Sequence, residues 1–118
     1  MNVEAEIKAL LGGLVAGRVY PDVAPAKAGL PRIVYQQVGG RSLNYVDQQV
    51  PDVKNGRFQL ACWAATREAA TALALQVEAI MILAEKIQAQ PLGAHASTRE
   101  PDTGLYGARQ DFDVWSAR

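Results

Sequence analysis

The chain has 118 residues, of which 49 % are hydrophobic and 20 % charged, and its twelve basic side chains balance its twelve acidic ones. These values are typical of one globular domain that buries a core without disulfides or metal. They argue against a protein that grips nucleic acid through its phosphates. No apolar run approaches the ~20 residues of a membrane span, and a lone cysteine indicates a reducing compartment.

The N-terminal region predicts a helix followed by a short strand. Apolar residues recur at helical spacing at Val3, Ile7, Leu10, Leu11 and Leu14. Asn2 is a suitable cap, and Gly17 can close the helix. Three prolines follow, and because each lacks a backbone donor, they leave room only for a short strand over Arg18 to Tyr20 and then an extended loop.

Two long strands are predicted in the middle of the chain. The stretch "RIVYQQVGG" alternates from residue 32 onward, and "RFQLACWA" alternates from Arg57 to Ala64. In the second strand Phe58, Leu60 and Cys62 share one face, and Trp63 points to the other. Between the two strands, Gly40 to Gly56 has no regular pattern, and Asn55-Gly56 suggests a tight turn. The sequence therefore predicts a long mobile loop at about residues 40–56.

The second half of the chain predicts the longest helix and two further strands. Thr66 is a good N-cap, and apolar residues continue at spacings of three and four from Ala70 to Ile87. Pro91 and Gly93 would end this helix. One short strand is predicted near residues 94–100, and a second in "ARQDFDVWSA", residues 108–117.

The order of elements predicts the fold class. Strands joined by short loops should pair antiparallel, and two amphipathic helices need an apolar sheet face to cover. We therefore expect one α+β domain over residues 1–118. It should have two layers, a mainly antiparallel sheet of four to five strands with both helices packed on one face.

Few residues suggest chemistry. Cys62 lies on an apolar strand face, where a free cysteine behaves as a small hydrophobic side chain. A nucleophilic thiolate would need a nearby base, and the only histidine, His95, falls on a different predicted strand. No partners accompany either residue at metal-ligand spacing. Asp111 and Asp113 fit the solvated side of an edge strand better than an acid–base pair. We expect no catalytic, cofactor or metal site.

Apolar residues outside the predicted core suggest a protein–protein interface instead. The expected contact residues lie in the long loop and on the last strand: Arg41, Leu43, Tyr45, Val46, Asp47, Val50 and Trp115. Trp63 and Trp115 fall on the sheet face opposite the predicted core. The alternative is that the proline-rich loop merely covers this second face.

The arrangement of these segments resembles the tail-completion, or tail-terminator, proteins of long-tailed phages and prophages. The resemblance rests on "GRVYPDVAP", "LPRIVYQQVGG", "FQLACWAATREAATALALQVEAIM" and the closing "DFDVW". It implies an α+β domain that assembles as a ring, usually a hexamer, on the head-proximal end of the tail tube. Such a ring stops tube polymerisation and offers a surface to the head connector. In that family the stretch around Cys62 is a strand that runs into the main helix and is not catalytic.

The resemblance also implies the partners and location. The partners would be other copies of the chain, the tail tube protein and a head connector or head-completion protein, without a membrane or sequence-specific nucleic acid. The location would be the virion tail, and the host cytoplasm during assembly. Two alternatives stay open from the residues alone: a small cysteine-dependent enzyme that uses Cys62 and His95, and a monomeric protein–protein adaptor.

Overall fold

The computed structural model describes residues 1–118 and has an α+β fold, as the sequence predicts. The elements in chain order are α1 (Val3–Leu11), a 3₁₀ turn (Gly12–Leu14), β1 (Val19–Pro21), β2 (Arg32–Gly39), β3 (Val53–Ala64), α2 (Arg67–Leu83), β4 (Gln88–Pro91), β5 (Ala96–Arg99) and β6 (Tyr106–Ala117). No helix has both the length and the apolar character needed to cross a membrane.

The six strands form one mixed sheet in the order β1-β2-β3-β6-β4, and β5 pairs with β6 beside β4. β3 and β6 lie at the centre and pair antiparallel over twelve residues each, from Val53 opposite Ala117 to Ala64 opposite Tyr106. β6 is therefore bonded to three strands. Its first half pairs with β5, and its second half pairs with β4.

The predicted strand count needs a correction, and the mainly antiparallel pairing has one exception. The sheet has six strands instead of four to five, because Gln88–Pro91 forms β4. This segment has no apolar alternation and ends in proline, which an edge strand tolerates. In addition, β1 pairs with β2 parallel, with Val19 opposite Ile33. The proline-rich connection carries the chain back to the start of β1 before β2 begins, so the pair is not a hairpin.

The end of the predicted second helix also differs. α2 begins where Thr66 predicts, with the Thr66 Oγ1 accepting a bond from the Ala69 amide at 3.2 Å. It ends at Leu83, because Ala84 is already extended. Ile87 is buried, but it lies after the helix and before β4. Its position in the apolar pattern therefore does not reflect helical structure.

The predicted turn at Asn55-Gly56 is wrong, because both residues lie inside β3. β3 begins at Val53 and leaves residues 40–52 as the irregular connection. Gly56 is needed for close packing: a Cβ there would lie 2.8 Å from the Phe58 ring. Asn55 donates its side-chain amide to Asp113 at 2.7 Å across the sheet.

The core lies against one face of the sheet. Alternate residues of the central strands, including Phe58, Leu60 and Phe112, form one buried cluster of 20 residues with the inward residues of α1 and α2. Leu73, Val77 and Met81 of α2 are buried as the periodicity predicts, whereas Ile80 is only half-buried. The other positions of the strands form the opposite face, called here the outer face.

One buried polar side chain joins three elements. Gln110, on β6, is buried and donates its side-chain amide to a Glu78 carboxylate oxygen of α2 at 2.6 Å and to the Gly93 carbonyl at 2.7 Å. Because a buried amide without partners costs free energy, these bonds fix α2 and the β4–β5 connection against the centre of the sheet.

Candidate interaction surface

Cys62 is fully buried on the inward face of β3 and belongs to the core cluster. Burial raises the pKa of its thiol from 9.0 to about 12, because the surrounding apolar side chains disfavour the thiolate. A nucleophilic cysteine needs the opposite environment, in which the thiolate is stabilised and accessible. The geometry of Cys62 is that of a core residue.

His95 is half-buried in the connection just before β5, rather than on a strand. β6 separates β5 from the strand that carries Cys62 in the sheet order. Asp111 and Asp113 lie on the outer face in ion pairs, with Arg57 at 2.8 Å and Arg41 at 3.3 Å. No group of three or more His, Cys, Asp or Glu side chains is arranged to hold a metal ion.

The 40–52 segment is attached to the outer face through Arg41. The Arg41 amide donates to the Asn55 side chain at 2.8 Å, its guanidinium pairs with Asp113, and the same group lies 5.4 Å from the centre of the Trp115 ring. Arg41 and Trp115, two of the expected interface residues, are therefore brought together within one chain. They form the root of the segment.

Gly40 allows this close attachment. Its φ of +140° is uncommon for residues with a side chain, and a Cβ there would lie 2.8 Å from the Gly56 Cα and 2.9 Å from the Asn55 carbonyl oxygen. The chain therefore leaves β2 directly against the backbone of β3. This contact fixes where the segment starts, and the rest of the segment extends from that point.

The tip of the segment, residues 42–50, presents apolar side chains to solvent. Tyr45, Val46 and Val50 are exposed, whereas Leu43 is half-buried. A turn holds the tip: the Gln48 amide donates to the Tyr45 carbonyl at 3.0 Å, and the Asp47 carboxylate accepts from the residue 49 amide at 3.3 Å. Asp47 therefore shapes the turn that displays Tyr45 and Val46.

A groove of about 610 Å³ lies beside the root. Leu43 and Val53 are its two apolar lining residues, and Arg41, Lys54 and Arg118 supply basic groups to its wall. The groove is open and shallow, so it fits a segment of another protein better than an enclosed small molecule.

The family model for "Tail completion protein gp17" matches residues 2–117. The chain belongs to this family. None of the curated proteins matches the chain at a significant level. The family match spans all six strands and both helices, so the fold described above is the fold of a phage tail-completion protein. Membership makes this a virion tail protein that contacts other components of the tail or head.

This tail-completion protein also exposes an apolar surface that the sequence analysis did not single out. After the exposed Arg67 and Glu68 of its first turn, the outward residues of α2 form a stripe without charge: Ala69, Ala72, Leu75, Gln76, Ala79, Ile82 and Leu83. Leu75, Ile82 and Leu83 are 54 %, 50 % and 76 % exposed. The signal was present, since only three of the seventeen residues of α2 are charged, and a helix that is apolar all round is normally covered.

The packing of Trp63 is the second feature that the sequence analysis did not predict, although it did assign this residue to the face opposite the core. Trp63 lies on the outer face in register with Gly107 of β6, which is in turn opposite Thr98 of β5. A Cβ on Gly107 would be 2.8 Å from the Trp63 ring and 2.9 Å from the Thr98 methyl group. The tail-completion protein therefore packs its tryptophan across a glycine, and the half-buried indole ring covers the outer face at this end of the sheet.

Proposed function

We propose that the protein caps the head-proximal end of the tail tube as a ring of six copies, which stops tube polymerisation and offers the joining surface for the head. The tail tube protein and a head connector or head-completion protein are its partners, and it assembles in the host cytoplasm. The observation that carries this proposal is the family match over residues 2–117. A tail-completion protein acts by contacting other proteins, and this chain exposes surfaces that could make such contacts.

The tip of the 40–52 segment supports an assembly role. Tyr45 is an exposed aromatic residue on a shaped turn, with Val46 and Val50 beside it. Aromatic side chains of this kind become interface anchors, and burial of one can contribute ~2 kcal/mol or more to binding. In a ring the same contact recurs between every pair of neighbours, so its loss would be felt at each interface. We expect the contact residues to be Arg41, Leu43, Tyr45, Val46, Asp47, Val50 and Trp115.

The position of Cys62 favours this role over the cysteine-dependent enzyme. The thiol is buried in the core with its pKa raised to about 12, so a thiolate would be scarce near neutral pH. The near-zero net charge of the chain also removes long-range repulsion between copies.

The test is completion of tails that lack this protein, scored by electron microscopy for tube length and for attached heads. We expect Tyr45→Ala combined with Val46→Asp to leave the monomer folded and to abolish completion, since both side chains are exposed. Leu43→Ala with Tyr45→Ala should have the same effect. Cys62→Ala and His95→Ala should complete tails normally.

The matched control is Val23→Asp, which changes another exposed valine in the connection between β1 and β2. It should complete tails at the wild-type level. Normal completion by the tip variants, together with failure of Cys62→Ala or His95→Ala in a folded protein, would require that the structural role be abandoned.

A further inference from the structure

We infer that the outward stripe of α2 is the surface on which the tip of a neighbouring copy docks. This inference deepens the proposed ring, on which it rests, by naming the two surfaces that meet. The tip is defined as residues 42–50, and the stripe is the set of seven outward residues of α2 from Ala69 to Leu83.

The two surfaces match in chemistry. The stripe has no charged side chain over its length, and Asp47 is the only charged residue in the tip. Interface centres are depleted of charge and enriched in aromatic side chains. Tyr45 and Val46 supply an aromatic and an aliphatic group, and Leu75 and Ile82 supply the apolar wall for them.

A single chain leaves both surfaces uncovered. Tyr45, Val46, Leu75 and Ile82 are all exposed in the same molecule, so the tip does not cover its own helix. The root explains why, because Arg41 holds the segment on the outer face, whereas α2 packs through its inward residues against the core side of the sheet. Because every copy in the proposed ring presents both surfaces, we assign a tip from a second copy as the occupant of the stripe.

The dimensions allow this contact. Residues 40–52 have both ends on the sheet, so the tip can extend by at most half of the contour length, roughly 20 Å. The outward stripe spans fifteen residues of α2, or about 21 Å at the rise of an α-helix. The body of the chain is 25 × 24 Å in its two shorter dimensions. An extended tip can thus lie along most of a neighbour's helix.

Two different patches on one chain make the contact heterologous, and this determines the experiment. A heterologous contact repeats from copy to copy and closes into a ring or continues as a filament. A contact between two identical patches would instead stop at a dimer. The two cases differ in what happens when two defective variants are mixed.

The experiment uses one variant for each surface. The stripe variant is Leu75→Glu with Ile82→Glu, and the tip variant is Tyr45→Ala with Val46→Asp. Each is examined alone and in an equimolar mixture by sedimentation and native mass spectrometry, at protein concentrations up to about millimolar. Each should remain monomeric alone. In the mixture, the intact tip of the stripe variant should dock on the intact stripe of the tip variant. The resulting 1:1 complex cannot grow further, because its remaining tip and stripe are both mutated.

A cross-link tests the contact directly. In a Cys62→Ala background, one protein carries Val46→Cys and the other carries Leu75→Cys, and a short bis-maleimide joins them. We expect cross-linking at least tenfold faster than for the control pair, in which Val23→Cys replaces Val46→Cys. Ala79→Arg is a second, single stripe variant at an exposed position, and it should block the link even if the double glutamate variant does not fold.

Each outcome decides the inference. Self-association of the tip variant alone would show that the stripes of two copies pair with each other. Self-association of the stripe variant alone would show that the tips of two copies pair with each other. Either result would overturn the inference. Absence of both the 1:1 complex and the cross-link also overturns it. If the complex forms but the wild-type protein does not complete tails, the proposed function fails and the contact stands. If tails are completed normally by the stripe variants, the contact fails and the proposed function stands.

Discussion

Gly107→Ala should destabilise the protein, although glycine-to-alanine changes in strands usually stabilise. The added Cβ would lie 2.8 Å from the Trp63 ring and 2.9 Å from the Thr98 methyl group. Carbon atoms pack at about 3.5–4.0 Å, so the neighbours must move by roughly 0.7 Å. Overpacking of this size costs about 1–3 kcal/mol, and the smaller backbone entropy of alanine offsets about 0.5–1 kcal/mol. We expect a net loss of about 1–2 kcal/mol.

Thermal and urea unfolding followed by circular dichroism measures this loss. For a domain of this size, 1 kcal/mol corresponds to roughly 3–5 °C in Tm. The sharper measurement is a double-mutant cycle with Trp63→Leu. Without the indole ring, the same Gly107→Ala change should be neutral or slightly stabilising, because Thr98 lies on a four-residue edge strand that can shift.

Two results would refute the reasoning about Gly107. One is an unchanged or higher stability of the single variant. The other is an equal loss in the wild-type and Trp63→Leu backgrounds, which would mean that the ring is not what the Cβ meets. Gly13→Ala serves as the control, because nothing lies within 4 Å of a Cβ at that position. It should not lower stability.

Three further predictions concern the core. Val77→Ala should cost about 2–3 kcal/mol in urea unfolding, from two lost methyl groups and the cavity they leave, whereas Leu75→Ala on the outward side of the same helix should cost under 1 kcal/mol. Gln110→Leu should cost about 2 kcal/mol, because the Glu78 carboxylate loses its donor, and adding Glu78→Leu should recover most of that loss; no recovery would contradict the bridge. The raised pKa of Cys62 stabilises the fold below pH 9 and is lost as pH rises from 9.0 toward about 12, because the unfolded chain releases its proton first. The wild-type protein should therefore lose up to about 1.4 kcal/mol more per pH unit than Cys62→Ala in this range, and parallel slopes would count against burial of the thiol.

Local signals in the sequence predicted the elements that depend on local structure. The Thr66 cap placed the start of α2 correctly, and the alternation around Phe58 and Leu60 identified both β3 and its inward face. The α+β class followed from the order of these elements. The family resemblance, carried by segments spread along the chain, is also confirmed by a match to residues 2–117.

What the sequence could not predict depends on contacts between distant residues. β4 is a strand because β6 offers it hydrogen bonds, and its own residues show no strand pattern. Asn55-Gly56 is typical of a hairpin turn, but pairing of Asn55 with Trp115 across the sheet holds it in β3. Nor does the sequence reveal that the Arg41 guanidinium pairs with Asp113, seventy-two positions away in the chain.

The place of β6 in the sheet affects how the chain is made. The central strand that bonds β3, β4 and β5 is the last of the six strands to be synthesised. Until then, β3 lacks one of its two neighbours, and β4 and β5 have no partner at all. The sheet can therefore be completed only after residue 117 has left the ribosome. A chain that terminates early would lack β6, the strand that pairs with β3, β4 and β5. Such fragments would not fold, so they would not enter an assembling tail, and a cell would incorporate only chains that reach the end of β6.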